Sequence, residues 1–336
     1  MEEYKKILII KPSSLGDVVH SLAFLNSLRS CYPDASIQWI ISRGLEDMLS
    51  GHPMIDRVRV INKDMWKKIT HLPQTLRELK SLSRALKSEH FDLVIDLQGL
   101  LRSGLIARST KASVIIGFRE AREGSRHFYT HIIEGGKDIH AVERYLKIAA
   151  FLGCDVSKIY FPVNVPDDYE NITGRFRLPA DYYVIAPGAR WETKKWPAES
   201  FSKVIPELSP VAVIIGSKDD IPTANRIVEL SGNKAVSLAG KTSLMELVCI
   251  IRKARFMITN DTGPMHIAAA LSIPVYAIFG PTSETLTGPY GNGHKVFKAD
   301  IDCAPCFRKN CDDVQCMKGI ESNDVLQAIL GDINGS

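Results

Sequence analysis

The sequence predicts an α/β protein made of two doubly wound parallel sheets in succession. Three observations predict it. Short apolar runs alternate with longer stretches whose apolar residues recur at helical spacing. That alternation breaks between Phe161 and Asp181, where PVNVPDDYE and LPADYY gather proline and acidic residues. A chain of 336 residues is also longer than one hydrophobic core ordinarily organises. Domains are therefore expected at 1–165 and 166–336, with a final helix able to pack back on the first.

In chain order, Lys6–Ile10 is a short apolar strand and Asp17–Leu28 an amphipathic helix. Strands are expected at Ile37–Ile41, Arg57–Ile61, Leu93–Leu97 and Val114–Gly117, with helical stretches such as Leu76–Lys87 between them. A second series runs Tyr183–Ala186, Val211–Ile215, Ala235–Leu238, Phe256–Thr259 and Val275–Phe279. Strands joined through helices pair in parallel. In such sheets ligands bind beyond the carboxyl ends of the strands, where loops open onto helix N-termini. Two such domains are expected to face each other across a cleft, and both PSSLGD and NDTG occupy strand-end positions.

Composition narrows the class. The chain is 45% hydrophobic and 24% charged, as in soluble globular proteins, and no run approaches the ~18 apolar residues of a membrane span. The start, MEEYKKILII, carries acid where a signal peptide carries positive charge. A cytosolic protein, at most peripheral to a membrane, is expected. Residues 1–165 hold 24 Lys+Arg against 18 Asp+Glu, and the remainder 18 against 20. The basic half points to an anionic partner. No dense basic block or nucleic-acid signature is present, so nucleic acid is not expected. Four of the seven cysteines form Cys303-x2-Cys306-x4-Cys311-x4-Cys316, a spacing that fits no standard zinc ribbon or finger.

Two motifs are decoys, one of them Asp300-x-Asp302, which resembles a metal-binding DxD but is short enough to arise by chance. No G-x-G-x-x-G is present. Gly240-Lys241-Thr242 ends like a phosphate-binding Walker loop, but Ala235 stands where its first glycine belongs. Four strand-end loops remain as candidates. In Lys11-Pro12-Ser13-Ser14-Leu15-Gly16-Asp17, small residues admit a substrate and Asp17 lies at a helix N-terminus, where the dipole favours the ionised form; helix capping is the plainer role. In the loop Pro187–Pro197, a lysine can neutralise phosphate or merely face solvent. In Gly216-Ser217-Lys218-Asp219-Asp220, a carboxylate after a strand suits ribose hydroxyls or a cap. In Asn260-Asp261-Thr262-Gly263-Pro264-Met265-His266, the amides of Thr262, Gly263 and Met265 are expected to point at an anion.

Together, KPSSLGDVVHSL, VIDLQGLLRSG, FREARE, HAVER, RWETKKWP and NDTGPMHIAAAL resemble the heptosyltransferases of the bacterial lipopolysaccharide inner core, in matching order through about residue 290. The resemblance implies the GT-B fold and inverting transfer of heptose from ADP-heptose to a lipid-linked, Kdo-containing acceptor on the cytosolic face of the inner membrane. It implies Asp17 as general base. Lys194, Asp220, Asp261, Thr262, Gly263 and His266 are implied on the donor side, and Ser14, Gly16 and Arg122 on the acceptor side. No metal is required, though Mg²⁺ on the diphosphate is compatible. The strings SSLGDVVH, AREG and HAVER look like the first heptosyltransferase, and the Cys303–Cys316 segment like the second. The alternatives are another GT-B enzyme acting on a nucleotide sugar, such as an epimerase, or a non-catalytic binding protein on the same scaffold.

Overall fold

Near-continuous apolar strands such as KILII and YYVIA are the mark of parallel sheets covered by helices on both faces. The computed structural model describes residues 3–67, 72–167 and 169–335, so Met1 and Glu2 of the N-terminal stretch lie outside it. The first sheet comprises β1 (Lys6–Ile10), β2 (Ser36–Ser42), β3 (Arg57–Ile61), β4 (Leu93–Asp96), β5 (Val114–Phe118) and β6 (His131–Ile133). Its order is β3-β2-β1-β4-β5-β6, with every neighbouring pair parallel. The second comprises β7 (Tyr182–Ala186), β8 (Val211–Ile214), β9 (Ala235–Ser237), β10 (Met257–Asn260), β11 (Val275–Ile278) and β12 (Lys295–Phe297). Its order is β12-β11-β10-β7-β8-β9. Numbered from its own first strand, the second sheet repeats the topology of the first.

In each sheet the winding reverses beside the first strand, between β1 and β4 and between β7 and β10. Those two switch points are where a doubly wound sheet opens a crevice for ligand. They coincide with the loops KPSSLGD and LQG in one unit, and PGARWETKKWP and NDTG in the other.

The chain divides into compact units at Asn164 and Val165. The expected strands are present to within two residues. The reading missed β6 and β12, three-residue edge strands that pair on one side only and so need no apolar run. The final helix, Ser322–Gly335, belongs to the second unit: Val325 and Ile329 are fully buried in its core with Trp196 and Phe201. The Tyr276 hydroxyl donates to Asp332 at 2.8 Å, and the Ser322 hydroxyl to the Ser200 carbonyl at 3.1 Å. Among the described residues no helix is long and apolar enough to cross a membrane.

Candidate active site

In the first unit, β1 delivers Lys11 to the switch point and the helix Leu15–Cys31 starts four residues later. Asp17 lies in that helix's first turn. One carboxylate oxygen, Oδ2, accepts from the Ser14 amide at 2.9 Å and the Ser14 hydroxyl at 2.7 Å. The capping role is therefore real, and it occupies only half of the group. The other oxygen, Oδ1, accepts from the Tyr145 hydroxyl at 3.2 Å and faces the Lys11 ammonium at 3.6 Å. A carboxylate offers about four lone-pair sites, so Oδ1 keeps room for one further proton donor. The side chain is 36% exposed, so the carboxylate is within reach of a ligand.

Burial opposes ionisation of Asp17, but Lys11, the two Ser14 bonds and His20 outweigh it and hold the carboxyl well below its ordinary range. For Lys11 burial also favours the neutral form, and Asp17, Tyr145 and Asp96 overcome it, keeping the ammonium charged. Its Nζ donates to the Leu97 carbonyl at 3.3 Å, across the switch point. Burial pushes the Tyr145 phenol up to about 12, so it stays a donor. His20, one turn beyond Asp17, meets His140 edge to face at 5.0 Å.

The loop after β4 turns on Asp96, which is fully buried and accepts from the Gln98 and Gly99 amides, the Ser103 hydroxyl and Tyr129. The Arg122 amide donates to the Gly99 carbonyl at 2.8 Å, and the guanidinium is exposed. Glu120 accepts from the Gly135 and Gly136 amides, and Glu123 from that of Leu101. The two acids of FREARE are thus fasteners, and Arg122 stands exposed between them.

In the second unit, Asn260 joins the switch-point loops. Its Oδ1 accepts from the Trp196 amide at 3.1 Å and its Nδ2 donates to the Pro187 carbonyl at 2.6 Å. Beside it, Lys194 and Asp261 form an ion pair at 2.6 Å, and the Thr282 hydroxyl donates to the same carboxylate oxygen at 2.7 Å. The helix Gly263–Ala270 follows, with Pro264 in its first turn. The Met265 amide donates back to the Thr262 carbonyl at 3.1 Å, so it does not point outward as expected. Pro264 has no N–H. The amides of Thr262 and Gly263 remain as the helix's contribution to an anion.

A cavity of about 540 Å³ opens at this switch point, within the size range of small-molecule sites. Thr262 and Pro264 form one wall, Gly188 to Arg190 with Glu192 and Lys195 a second, and Gly216, Ser217, Asp219 and Asp220 a third. Thr242, Ser243, Leu244 and Leu247 close it. Asp220 accepts from the Ser217 amide and hydroxyl through Oδ2, both at 2.8 Å. A Cβ on Gly188 would sit 2.5 Å from that carboxyl, and one on Gly216 2.8 Å from the Asp220 Cβ. Both glycines exist to let the aspartate in.

Of the donor-side candidates, Asp220 and Thr262 line the cavity, while Lys194, Asp261 and His266 are set into the structure that supports it. The cations on the cavity wall are Lys195 and Arg190, which the reading passed over. It also missed Lys11 and Tyr145, and it set aside Gly240-Lys241-Thr242, whose Thr242 borders the cavity without forming a Walker loop. Among the described residues no disulfide joins the cysteines. Cys303 and Cys311 are exposed, and Cys316 is buried with its thiol pushed up by burial. Among the described residues, no three His, Cys, Asp or Glu side chains are grouped to hold a metal ion.

Residues 79–316 match the model of glycosyltransferase family 9 (heptosyltransferase). Lipopolysaccharide heptosyltransferase 1 of Pseudomonas aeruginosa is 31% identical over 318 residues, covering 91% of this chain and 87% of that one. Among solved structures, a family 9 glycosyl transferase of Veillonella parvula superposes with a TM-score of 0.85 at 24% identity, over 100% of this chain and 99% of that one. The Escherichia coli heptosyltransferase WaaC, solved with ADP, gives 0.76 at 26% identity over 97% and 99%.

Proposed function

The chain belongs to glycosyltransferase family 9, the heptosyltransferases of lipopolysaccharide core assembly, and we propose that it transfers heptose from ADP-heptose to a Kdo-containing, lipid-linked inner-core acceptor with inversion. The observation that carries transfer over mere binding is Asp17 itself, a partly exposed carboxylate at the switch point that Lys11 and Ser14 keep ionised. An acceptor hydroxyl is a poor nucleophile, and Asp17 removes its proton as attack on the anomeric carbon proceeds. The bond from that carbon to the diphosphate oxygen breaks, and the charge gathers on ADP.

The second unit answers that charge. Asp220 is suited to the ribose hydroxyls, with Ile215, Leu244 and Leu247 as apolar wall for the base. The amides of Thr262 and Gly263, with Lys195 and Arg190, are aimed at the diphosphate, where fixed donors act most strongly in a sheltered site. Lys194 and Asp261 brace the loop from which those donors project, and His266 anchors the helix behind it. On the acceptor side, Ser14 and Gly16 form the approach to Asp17, and Arg122 is suited to an acidic sugar or phosphate. The basic first unit is turned to an anionic membrane surface. No step requires a metal, and Mg²⁺ on the diphosphate is compatible with the scheme.

Incubation with ADP-heptose and a Kdo-bearing acceptor tests the reading. Release of ADP together with extended acceptor is expected. An isomerised nucleotide sugar without ADP would indicate an epimerase, and binding without turnover a receptor. Arg122→Ala should raise the acceptor KM roughly 10- to 100-fold, the worth of a hydrogen bond to a charged group. Donor binding should be unchanged, and equal losses on both substrates would make Arg122 structural.

A further inference from the structure

A second cavity, of about 260 Å³, lies in the first unit away from Asp17. The helix Leu72–Glu89 contributes Thr75, Leu79 and Leu82 to it, and the helix Leu101–Ser109 contributes Leu105 and Ile106. Trp66 belongs to the same wall, and its indole N–H donates to Glu78 at 3.2 Å. Trp66, Leu79, Leu82, Leu105 and Ile106 make most of the exposed lining apolar, with Ser83 and Ser109 beside them, and an apolar lining suits a length of hydrocarbon better than a sugar or nucleotide. Thr75 is 6% exposed, and among the described residues its hydroxyl has no hydrogen-bond partner.

The same two helices expose a set of leucines that a soluble surface does not need: Leu76 is 57% exposed, Leu101 41% and Leu105 50%. Arg77, Lys80, Arg84, Arg102 and Arg108 are also exposed on them, and Arg102 lines the cavity itself. Among the described residues none of these five cations is in an ion pair. Glu78, the acid nearest in sequence, is engaged by Trp66. Apolar side chains among unpaired cations on exposed helices are the pattern that settles on an anionic bilayer. A symmetric pairing of two copies through this face would set five cations against their own kind.

We propose that this groove seats an acyl chain of a bilayer containing anionic phospholipid, so that the first unit docks on such a membrane through residues 72–89 and 101–109. The inference gives the proposed function its membrane contact, but its test does not depend on turnover. Thr75 supplies a hydroxyl to a chain's ester carbonyl, and the five cations meet the headgroup phosphates.

The test is cosedimentation of the full chain with vesicles of phosphatidylcholine alone and of phosphatidylcholine mixed with phosphatidylglycerol. Binding to the mixed vesicles only is expected, weakening as salt is raised. Leu76→Ser with Leu105→Ser should reduce the partition coefficient about tenfold or more, because both side chains lose their place in hydrocarbon. Arg102→Ser and Arg108→Ser should each cost about fivefold. All four positions are exposed, so melting temperatures should stay near wild type. Transfer to an acceptor stripped of its acyl chains should also be unchanged. Equal binding to both vesicles, or leucine variants that partition like wild type, would overturn the proposal. So would a wild-type dimer that the leucine substitutions dissociate, since the face would then be a self-interface. Selective partition by a chain that shows no transfer would leave the docking site standing and remove the proposed function.

Discussion

Asp17→Asn is expected to lower kcat roughly 10²–10⁴-fold, the usual worth of general-base assistance, while ADP-heptose binding stays near normal. The structure sharpens how that result must be read. Ser14 is the N-cap and position 17 the N3 residue of the capping box, where asparagine can still accept from the Ser14 amide and hydroxyl through Oδ1. Its other end is an amide, and it would face the Lys11 ammonium and the Tyr145 hydroxyl where an acceptor is needed. Lys11 is buried and would lose its counter-ion. A cost of roughly 1–3 kcal/mol is expected, below the value for a fully buried pair because Asp17 is partly exposed. Lys11→Met combined with Asp17→Asn removes the stranded charge, so melting temperature should recover while kcat does not. Recovery of both would make Asp17 a structural partner of Lys11 and end its role as base.

The acid side of the pH profile carries the same information. Asp17 titrates below the ordinary carboxylate value of 3.8, because Lys11, Ser14 and His20 together outweigh its burial. A carboxyl lowered in this way contributes stability above its unfolded pKa and loses it as pH falls through the folded one. Asp17 therefore stays ionised across the physiological range, and it should impose no acid limb on kcat/KM above about pH 4. The same shift makes it a weaker base, so tight contact with the acceptor hydroxyl matters more than basicity.

The parts of this molecule that could be read from sequence share a physical property: they are locally encoded. KILII and YYVIA announce themselves because a parallel strand buried on both faces must be apolar throughout. Edge strands such as His131–Ile133 carry no such demand and leave no signal. PSSLGD and NDTG stand out because small, acidic and capping residues crowd one strand end. Tyr145 does not, because its bond to Asp17 spans 128 residues and exists only once two helices pack. The adjacent lysines 194 and 195 illustrate the limit: one pairs inward with Asp261 and the other with Glu192 at the cavity wall. A difference of one position around a single turn decides which reaches a ligand, and that turn is set by tertiary contacts.

Breaking the Lys194–Asp261 pair is expected to destabilise the second unit by about 3–5 kcal/mol, whichever partner is removed. The side chains are only 15% and 7% exposed, so the surviving charge would be stranded with little water to receive it. Asp261→Ala would also leave the Thr282 hydroxyl without its acceptor. Loss of activity in a single variant would say nothing about donor contact, because a loosened loop disturbs the cavity anyway. The decisive variant is the neutral pair, Lys194→Met with Asp261→Asn. Methionine fills much of the lysine stem's volume, asparagine still accepts from Thr282, and no unpaired charge remains. Melting temperature should return to within about 1 kcal/mol of wild type, as buried pairs replaced by neutral groups often do. If Lys194 contacts the donor diphosphate, as the family resemblance implies, ADP should still bind roughly 10- to 100-fold more weakly, the worth of a charge-assisted bond. If the pair is only a brace beneath Lys195 and Arg190, ADP affinity should recover with stability. Calorimetric Kd values for ADP, measured beside the melting curves of the double variant and both singles, separate the two roles.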